Sequence, residues 1–136
     1  MGSASNLSGQ WSGEYAYPGQ AGPVTPFLAL IEDHGGRVSG TIIEPNTIEG
    51  GTLEAELVGT HNGNSIDFTK TYAPRASRHY DKPVDYVGSV SEDGALIRGV
   101  WSLLDWDGTF EMRRELSREE MLEREQVVEL PESVKR

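Results

Sequence analysis

The stretch LEAELVGTHNGNSIDFTKTY, residues 53–72, contains two runs of alternating side chains on either side of a glycine-bearing turn. In the first run, Leu53, Ala55 and Leu57 are separated by glutamates. In the second run, one face collects Ile66, Phe68, Lys70 and Tyr72. A period of two is typical of strands with one buried face, and the segment His61–Asn64 is typical of a tight hairpin turn. The stretch therefore predicts two antiparallel strands.

The same pattern recurs along the chain and predicts eight strands. Besides the strand around Leu53–Leu57, the segments are Gln10–Tyr17, Pro26–Glu32, Arg37–Glu44, Ser65–Tyr72, Val84–Val90, Ala95–Leu103 and Thr109–Glu115. Loops after odd-numbered strands are long or irregular: Tyr17–Thr25, Pro45–Gly51, Ala73–Pro83 and Leu104–Asp107. Loops after even-numbered strands are tight and contain glycine: Asp33–Gly36, His61–Asn64 and Ser91–Gly94. Because successive hairpins place alternate loops at opposite ends of a sheet, we expect one tightly closed end and one end ringed by long loops.

An unbroken series of hairpins makes an up-and-down sheet, whose first and last strands are best hidden by closure into a barrel. Four strands carry a glycine on the face predicted to point inward, which permits the sharp coiling that a small barrel requires. These glycines are Gly13, Gly40, Gly88 and Gly99. We therefore predict an all-β fold, an eight-stranded antiparallel up-and-down β-barrel, as one domain over residues 1–115. A two-layer sandwich is the alternative, although its crossovers require longer connections than the three tight turns.

The pattern changes after Glu115. The segment Ser117–Glu120 is a capping box of the S-x-x-E type, and good helix formers follow it. A short helix is therefore predicted from Arg118 to about Val127, before Pro131 stops it. Residues 116–136 would then form a C-terminal helical extension that docks on the barrel, packs against a partner chain or frays in solvent.

Length and composition limit the classes of function. The chain has 136 residues, no cysteine and a formal net charge of -10. Its length fits a single domain, and the absence of cysteine excludes disulfides and thiolate metal sites. Nucleic-acid binding requires a basic surface, which the net charge disfavours. No apolar run approaches the roughly 18 residues of a membrane span, and the first residues show no secretory signal. We expect a cytoplasmic protein with neither a nucleic-acid nor a membrane partner.

The beginning and the end of the predicted barrel suggest a family. Gly9-Gln10-Trp11 opens the first strand and Arg113-Arg114 closes the last one. Together with an eight-strand meander, this pattern resembles the calycins, which include lipocalins, fatty-acid-binding proteins and avidins. The resemblance implies that Trp11 lies at the closed end with Arg114 packed over it. Leu7–Trp11 and Val100–Leu104 look most like avidin strands, but Gly13 stands where avidins carry a biotin-contacting side chain, so the biotin-site pattern is missing.

The predicted open end collects aromatic side chains. Inward-facing residues near it form an aromatic-lined cup with two charges; they are Tyr15, Tyr17, Phe27, Glu44, Lys70, Tyr72, Tyr86, Trp101, Leu103 and Phe110. Trp106 is expected to overhang this mouth from its turn. Such a cup suits a small, partly apolar ligand. The alternative is that the aromatic rings simply fill the barrel, because eight strands leave an interior barely wider than its side chains.

Lys70 is the most unusual residue of this cup. An inward lysine in an apolar interior must pair with an acid, shift its pKa or reach water. Glu44 is a plausible partner, and as a binding residue Lys70 would hold an anionic group of a ligand. Two alternatives are that the strand register places Lys70 outside the barrel, or that its ammonium extends to solvent.

The loop between the fifth and sixth predicted strands carries the remaining candidates. It contains Arg75, Arg78, His79 and Lys82 against a single Asp81, and its length places it over the mouth. A basic lid on an acidic body would steer an anion. His79 is the only residue with a case for acid–base catalysis, through Asp81 or Tyr80. A plain solvated loop is the alternative.

We therefore expect a non-enzymatic barrel that binds a small, partly apolar ligand, with or without an anionic group, at the long-loop end. No metal-ligand spacing, nucleophile elbow or phosphate loop is present, so no cofactor is predicted. One alternative is a ligand-free barrel that interacts with proteins, including a second copy, through its wall or its C-terminal helix. The other alternative is an enzyme of unknown reaction with His79 at the mouth.

Overall fold

The computed structural model describes residues 6–17, 24–73 and 82–115. Within these ranges lie eight strands: β1 (Gly9–Ala16), β2 (Thr25–His34), β3 (Arg37–Pro45), β4 (Thr52–Asn62), β5 (Ser65–Tyr72), β6 (Val84–Val90), β7 (Leu96–Leu103) and β8 (Trp106–Arg114). Each strand pairs antiparallel with the next, and β8 returns to pair with β1, so the sheet is a closed barrel. The predicted eight-stranded meander barrel is confirmed, and the sandwich is excluded. The predicted C-terminal helix and extension lie outside the described residues.

Inward and outward faces follow the alternation of the sequence. In β4, for example, Leu53, Ala55 and Leu57 are buried while Glu54 and Glu56 are exposed. The seventh strand also points the predicted way, with Trp101 inside. A one-residue slip in register would invert every one of these faces, so the hydrophobic pattern determines the register.

Two inward glycines face each other across neighbouring strands of the barrel wall. Gly88 and Gly99 are direct partners across β6 and β7. A Cβ atom at Gly99 would overlap the carbonyl oxygen of Val87 and crowd the Cα atom of Gly88. The strands can approach this closely only without side chains, which is the role predicted for the inward glycines.

The last loop at the open end is shorter than the sequence indicated. Strand β8 begins at Trp106, so the connection after β7 is only Leu104 and Asp105 rather than Leu104–Asp107. Leu104 has a φ of 56°, a left-handed conformation that is uncommon for a residue with a branched side chain. Without a glycine or asparagine at that position, the sequence carried no signal for a tight turn.

The closed end is capped as the resemblance to calycins implies. Trp11 is fully buried and its indole Nε1 donates a hydrogen bond of 2.9 Å to the carbonyl of Leu7. The guanidinium of Arg114 lies 4.8 Å from the centroid of the Trp11 ring. It also donates hydrogen bonds to the carbonyls of Asn6 (2.6 Å) and Ser8 (2.8 Å), so it ties the segment before β1 to β8.

A buried acid at the closed end went unnoticed in the sequence. Asp33, which the sequence predicts in a tight turn, is the penultimate residue of β2, and 5% of its surface is exposed. Its carboxylate accepts hydrogen bonds from the backbone amides of Leu7 and Gly36, both 3.0 Å, and lies 2.8 Å from Nδ1 of His61. Burial alone would raise the pKa of Asp33, but these hydrogen bonds together lower it below its usual value.

Candidate ligand-binding site at the open end of the barrel

The open end contains a cavity of about 380 Å³. It is lined by residues of β1, β5, β6, β7 and β8 and of the loops at this end of the barrel: Tyr15, Tyr17, Thr47, Ile48, Lys70, Tyr72, Lys82, Val84, Tyr86, Trp101, Leu103, Leu104 and Trp106. Pockets of roughly 300–1,000 Å³ with mainly apolar and aromatic walls are typical of small-molecule sites. The cavity therefore has the size and lining of a binding site for a small ligand.

The interior below this cavity is packed with aromatic rings. Phe68 and Tyr86 stack with ring centroids 4.8 Å apart, and Phe110 meets Tyr86 edge-on at 4.9 Å. Because these strands run from one end of the barrel to the other, the stack separates the cavity from the capped Trp11 end. The sequence predicts either a cavity or an interior filled by aromatic rings. Both are present, at different levels of the same barrel.

A buried ion pair forms the floor of the cavity. The ammonium Nζ of Lys70 lies 2.9 Å from Oε1 of Glu44, and both side chains are 1% exposed. The hydroxyls of Tyr15 and Tyr72 donate to Oε2 of the same carboxylate at 2.8 and 3.0 Å. One carboxylate therefore accepts three hydrogen bonds, which offsets the cost of removing its charge from water.

The Lys70 ammonium is also surrounded by aromatic faces. Its Nζ lies 4.8 Å from the ring centroid of Tyr15, 4.7 Å from that of Tyr72 and 5.4 Å from that of Tyr86. Each distance is within the roughly 6 Å at which a ring attracts a cation. The rings and Glu44 therefore surround the Lys70 side chain with groups that stabilise its positive charge.

Burial shifts the ionisation of the groups at the floor. It lowers the pKa of Lys70 because the charged ammonium loses its hydration, and the attraction of Glu44 acts in the opposite direction. Burial and the negative charge of Glu44 together raise the pKa of Tyr15 and of Tyr72. Burial first, and then the neighbouring Tyr15 and Glu44, raise the pKa of Tyr86. The tyrosines therefore stay protonated and remain hydrogen-bond donors across the neutral range.

One wall of the cavity is a set of rings meeting edge to face. The Tyr17 and Trp101 ring centroids are 5.5 Å apart at 85°, and those of Tyr15 and Trp101 are 6.1 Å apart at 73°. The indole Nε1 of Trp101 donates a 3.0 Å hydrogen bond to the carbonyl of Ala16. This hydrogen bond fixes the Trp101 ring, so it presents a rigid apolar face to the cavity.

The rim is apolar and open to solvent. Ile48 is 56% exposed, Leu104 is 79% exposed and Trp106 is 61% exposed. Large apolar side chains are seldom this exposed together without a binding role. Lys82, also exposed, adds a positive charge to the rim.

Nine of the side chains that the sequence singled out line this cavity: Tyr15, Tyr17, Lys70, Tyr72, Lys82, Tyr86, Trp101, Leu103 and Trp106. Phe27 and Phe110, also predicted near the mouth, are not among its lining residues and belong to the core. Glu44 lies behind them, as the acid that Lys70 pairs with. Arg78 and His79 lie outside the described residues. At 1% exposure, Lys70 neither points outside the barrel nor extends to solvent.

Four further lining residues were not singled out: Thr47, Ile48, Val84 and Leu104. An exposed isoleucine in the Pro45–Gly51 loop was a usable signal, because that loop was placed at the mouth. Val84 begins the sixth predicted strand, but the sequence analysis did not place its side chain at the mouth. The sequence did not predict that Leu104 lines the cavity, because the turn that contains it was expected to span Leu104–Asp107.

The inner space beside Gly13 is occupied by another side chain. A Cβ atom at Gly13 would overlap the ring of Phe27 from β2. Phe27 is 5% exposed and belongs to the core. The position where avidins carry a biotin-contacting side chain is therefore filled by an aromatic ring.

Two broader depressions lie on the outer wall. One, of about 600 Å³, runs along β1, β7 and β8 between Glu14, Arg98 and Glu111. The other, of about 580 Å³, runs along β2 and β3 near Glu32 and Ser39. Both are more open than the cavity at the mouth and are bordered by exposed polar side chains such as Glu14 and Glu32. In the part of the chain that the structure describes, no cluster of three His, Asp or Glu side chains is placed to hold a metal ion, and no helix there could cross a bilayer.

Comparison with known proteins supports the fold. A redesigned β-barrel superimposes with a TM-score of 0.59 at 13% sequence identity, covering 82% of this chain and 92% of that chain. A point mutant of the fluorescent protein UnaG gives a TM-score of 0.44 at 12% identity, covering 81% and 96%. No protein-family model and no curated protein matches the chain. At such identities the first likeness shows a shared barrel fold alone, and the second is too weak to bear on function.

Proposed function

We propose that this protein is a small-molecule-binding β-barrel of calycin type that holds a compact, largely aromatic or apolar ligand in the cavity at its open end. The observation that carries the proposal is the cavity itself, about 380 Å³ between the rigid faces of Trp101 and Tyr86 and the exposed rim. With each water molecule occupying roughly 30 Å³ of liquid, this is room for about a dozen waters. Displacing them by an apolar ligand is the favourable step.

The charge of the floor favours a neutral ligand. Glu44 and Lys70 carry opposite charges 2.9 Å apart, so the floor has no net charge that would attract an ionised group of a ligand. An anionic group, which the lysine suggested from sequence, would have to reach Lys82 at the rim instead. We therefore propose that neutral aromatic compounds bind more tightly than their anionic analogues.

Two fluorescent probes test this proposal. N-phenyl-1-naphthylamine is neutral, and 8-anilinonaphthalene-1-sulfonate has the same rings with a sulfonate added. We expect the neutral probe to bind with one site per chain and to raise the melting temperature, through the linkage of binding to stability. The anionic probe should bind more weakly. A neutral probe that neither saturates nor shifts melting would overturn the proposal.

Substitution at the rim locates the bound probe. Trp106→Ala removes an exposed ring, so we expect it to weaken neutral-probe binding by about 0.5–1.5 kcal/mol, or roughly two- to twelvefold in Kd. Val87→Ala is the matched control, because Val87 is 60% exposed on the outer wall. A loss of affinity in the control but not at Trp106 would place the probe outside the barrel.

A second candidate function uses the outer wall as a protein-interaction surface. Leu28 and Ile43 are direct neighbours across β2 and β3 and are 45% and 44% exposed, and Leu30 on the same face is 54% exposed. An apolar strip of this kind suits association with a second copy or another protein. Light scattering over a range of concentrations tests self-association: a monomer mass throughout would count against a homo-oligomer. The enzyme alternative depends on His79 and stays a prediction.

A further inference from the structure

Lys70 is a buried amine that the packing of the barrel does not require. Replacing a buried ion pair by apolar residues of similar volume is often neutral or stabilising, so the pair with Glu44 is not explained by stability. Lys70 is 1% exposed, and its side chain is one of those that border the cavity. A ligand in the cavity would therefore meet this amine in an environment from which water is largely excluded.

The surroundings of Lys70 are those of an activated nucleophile. Amines react with carbonyl groups only in the neutral form, and desolvation in an apolar pocket is one way in which proteins favour that form. Burial acts on Lys70 in this direction. The Glu44 carboxylate, 2.9 Å from Nζ, is positioned to take the ammonium proton. Its other oxygen receives the hydroxyls of Tyr15 and Tyr72 at 2.8 and 3.0 Å, which hold the carboxylate in place.

We propose that the ligand of this cavity is an aromatic or conjugated aldehyde or ketone, which Lys70 captures as a protonated imine. This inference rests on the proposed ligand-binding function and names its chemical class. The rings of Trp101 and Tyr86 bind the planar body of the ligand, and its carbonyl carbon points down toward Nζ of Lys70.

The reaction balances without an external reagent. Lys70 passes a proton to Glu44, and the nitrogen lone pair forms a bond to the carbonyl carbon while the π pair moves to the oxygen. That oxygen takes the proton from Glu44, and the nitrogen returns a second proton to the same carboxylate. The C–O bond then breaks as Glu44 protonates the leaving hydroxyl, which departs as water. One ammonium and one carbonyl thus give one protonated imine and one water, with no oxidation or reduction.

The product fits the floor as well as the free lysine does. The protonated imine keeps one positive charge at the position of Nζ, so the pairing with Glu44 is retained. The charge is now shared between nitrogen and carbon, and it remains among the rings of Tyr15, Tyr72 and Tyr86, which lie 4.7–5.4 Å from the present Nζ. Aromatic faces attract weakly hydrated cations of this kind well.

Reductive trapping tests the proposal. The full chain is incubated at neutral pH with 2-naphthaldehyde and sodium cyanoborohydride, which reduces the imine to a stable secondary amine. The chain has three lysines, Lys70, Lys82 and Lys135, so peptide mass mapping resolves every side-chain product. Because capture of a bound aldehyde is effectively unimolecular, we expect labelling at Lys70 to be about tenfold or more faster than at the other two lysines. Labelling confined to Lys82, Lys135 or the amino terminus, or none at all, would overturn the proposal.

Two additions keep the result unambiguous. Lys70→Met removes the amine but leaves Glu44 buried without its partner, so the double variant Lys70→Met/Glu44→Gln serves as the folded negative control, in which the fast adduct should vanish. The matched alcohol 2-naphthalenemethanol binds without reacting. If the alcohol displaces N-phenyl-1-naphthylamine but the aldehyde gives no adduct at Lys70, the cavity binds ligands and the imine proposal is wrong. If neither compound displaces a bound probe, the imine proposal is wrong although the cavity binds ligands; the proposed binding function fails only if N-phenyl-1-naphthylamine itself does not bind.

Discussion

Glu44 and Lys70 are the residues on which the open end of the barrel depends. Their charges are 2.9 Å apart with both side chains 1% exposed, and the carboxylate accepts two tyrosine hydroxyls besides. Such a pair is costly to bury but is far more costly to break, because the remaining charge would stay in an apolar interior. The two residues therefore act as one unit.

The first prediction concerns this unit. Lys70→Met should destabilise the fold by about 3–5 kcal/mol, because Glu44 is left buried without a counter-charge. The double variant Lys70→Met/Glu44→Gln should recover most of that loss, since no buried charge remains. The free energy of unfolding is measured by urea titration monitored by tryptophan fluorescence.

The control is an ion pair on the surface. Arg98→Met breaks a pair with Glu111 in which the arginine is 69% exposed, so the change should be within about 1 kcal/mol. Equal losses for Lys70→Met and Arg98→Met would show that Lys70 is not buried against Glu44. A double variant that loses more than the single one would show that the two residues are not coupled.

The second prediction concerns the close approach of β6 and β7. Gly99→Ala adds a methyl group that would overlap the carbonyl of Val87, so the strands must separate, at a cost of about 1–3 kcal/mol. Gly35→Ala is the comparison, because a Cβ atom there would meet no neighbour, although the φ of 65° is strained for alanine. Its cost should be about 1 kcal/mol, without strand separation. Amide exchange distinguishes the two: faster exchange along β6 and β7 in Gly99→Ala alone is expected, and unchanged exchange there would contradict the tight coiling.

The third prediction concerns the segment before β1 and the ends of β2 and β4, which Asp33 joins. The folded-state pKa of Asp33 is lowered, so its contribution to stability is fully present above the unfolded value of 3.8 and is lost as the pH falls through the folded value. Asp33→Asn should therefore be destabilised by about 2–4 kcal/mol at neutral pH. Below about pH 4 the difference from wild type should shrink.

Urea titrations between neutral pH and acid measure this difference. Asp67→Asn is the matched control, because Asp67 is exposed on the outer face of β5, and it should change stability by no more than about 0.5 kcal/mol. A penalty for Asp33→Asn that stays constant down to the lowest pH would show that the ionised carboxylate is not what holds the segment.

The strand pattern was readable from the sequence because it depends on local alternation. Leu53, Ala55 and Leu57 pointed inward from their spacing alone, and the same spacing placed Lys70 inside. Trp11 and Arg114 were placed at the closed end by the resemblance, and their contact is present. These features follow from the two-residue alternation of side chains and from the order of the strands along the chain, and both can be read from a single sequence.

What the sequence left open depends on distances between strands. The pairing of Asp33 with His61 joins the ends of two different strands, and both residues resembled turn residues beside glycines. The cavity depends on which level each ring occupies: Phe27 lies in the space beside Gly13, whereas Tyr86 and Trp101 stop short of filling the mouth. Those volumes depend on the side-chain rotamers and on the level of each ring along the barrel, which a periodic pattern does not encode.

The barrel as a body divides its tasks between its two ends. The capped end carries the fully buried Trp11, the Arg114 contacts and the Asp33 network, so it contributes stability. The other end carries a cavity, an exposed apolar rim and a compensated charge pair, none of which improves packing. This separation allows rim residues such as Trp106 to change with little effect on the fold, which is why a rim substitution is informative about binding.

A crystal structure of the protein with N-phenyl-1-naphthylamine tests the proposed binding site most directly. We expect electron density for one probe molecule between Trp101, Tyr86 and the rim, above an intact pair of Lys70 and Glu44. A probe bound only to the outer wall, or a mouth closed by the protein's own side chains with no probe inside, would contradict the proposal that this barrel is a small-molecule-binding protein.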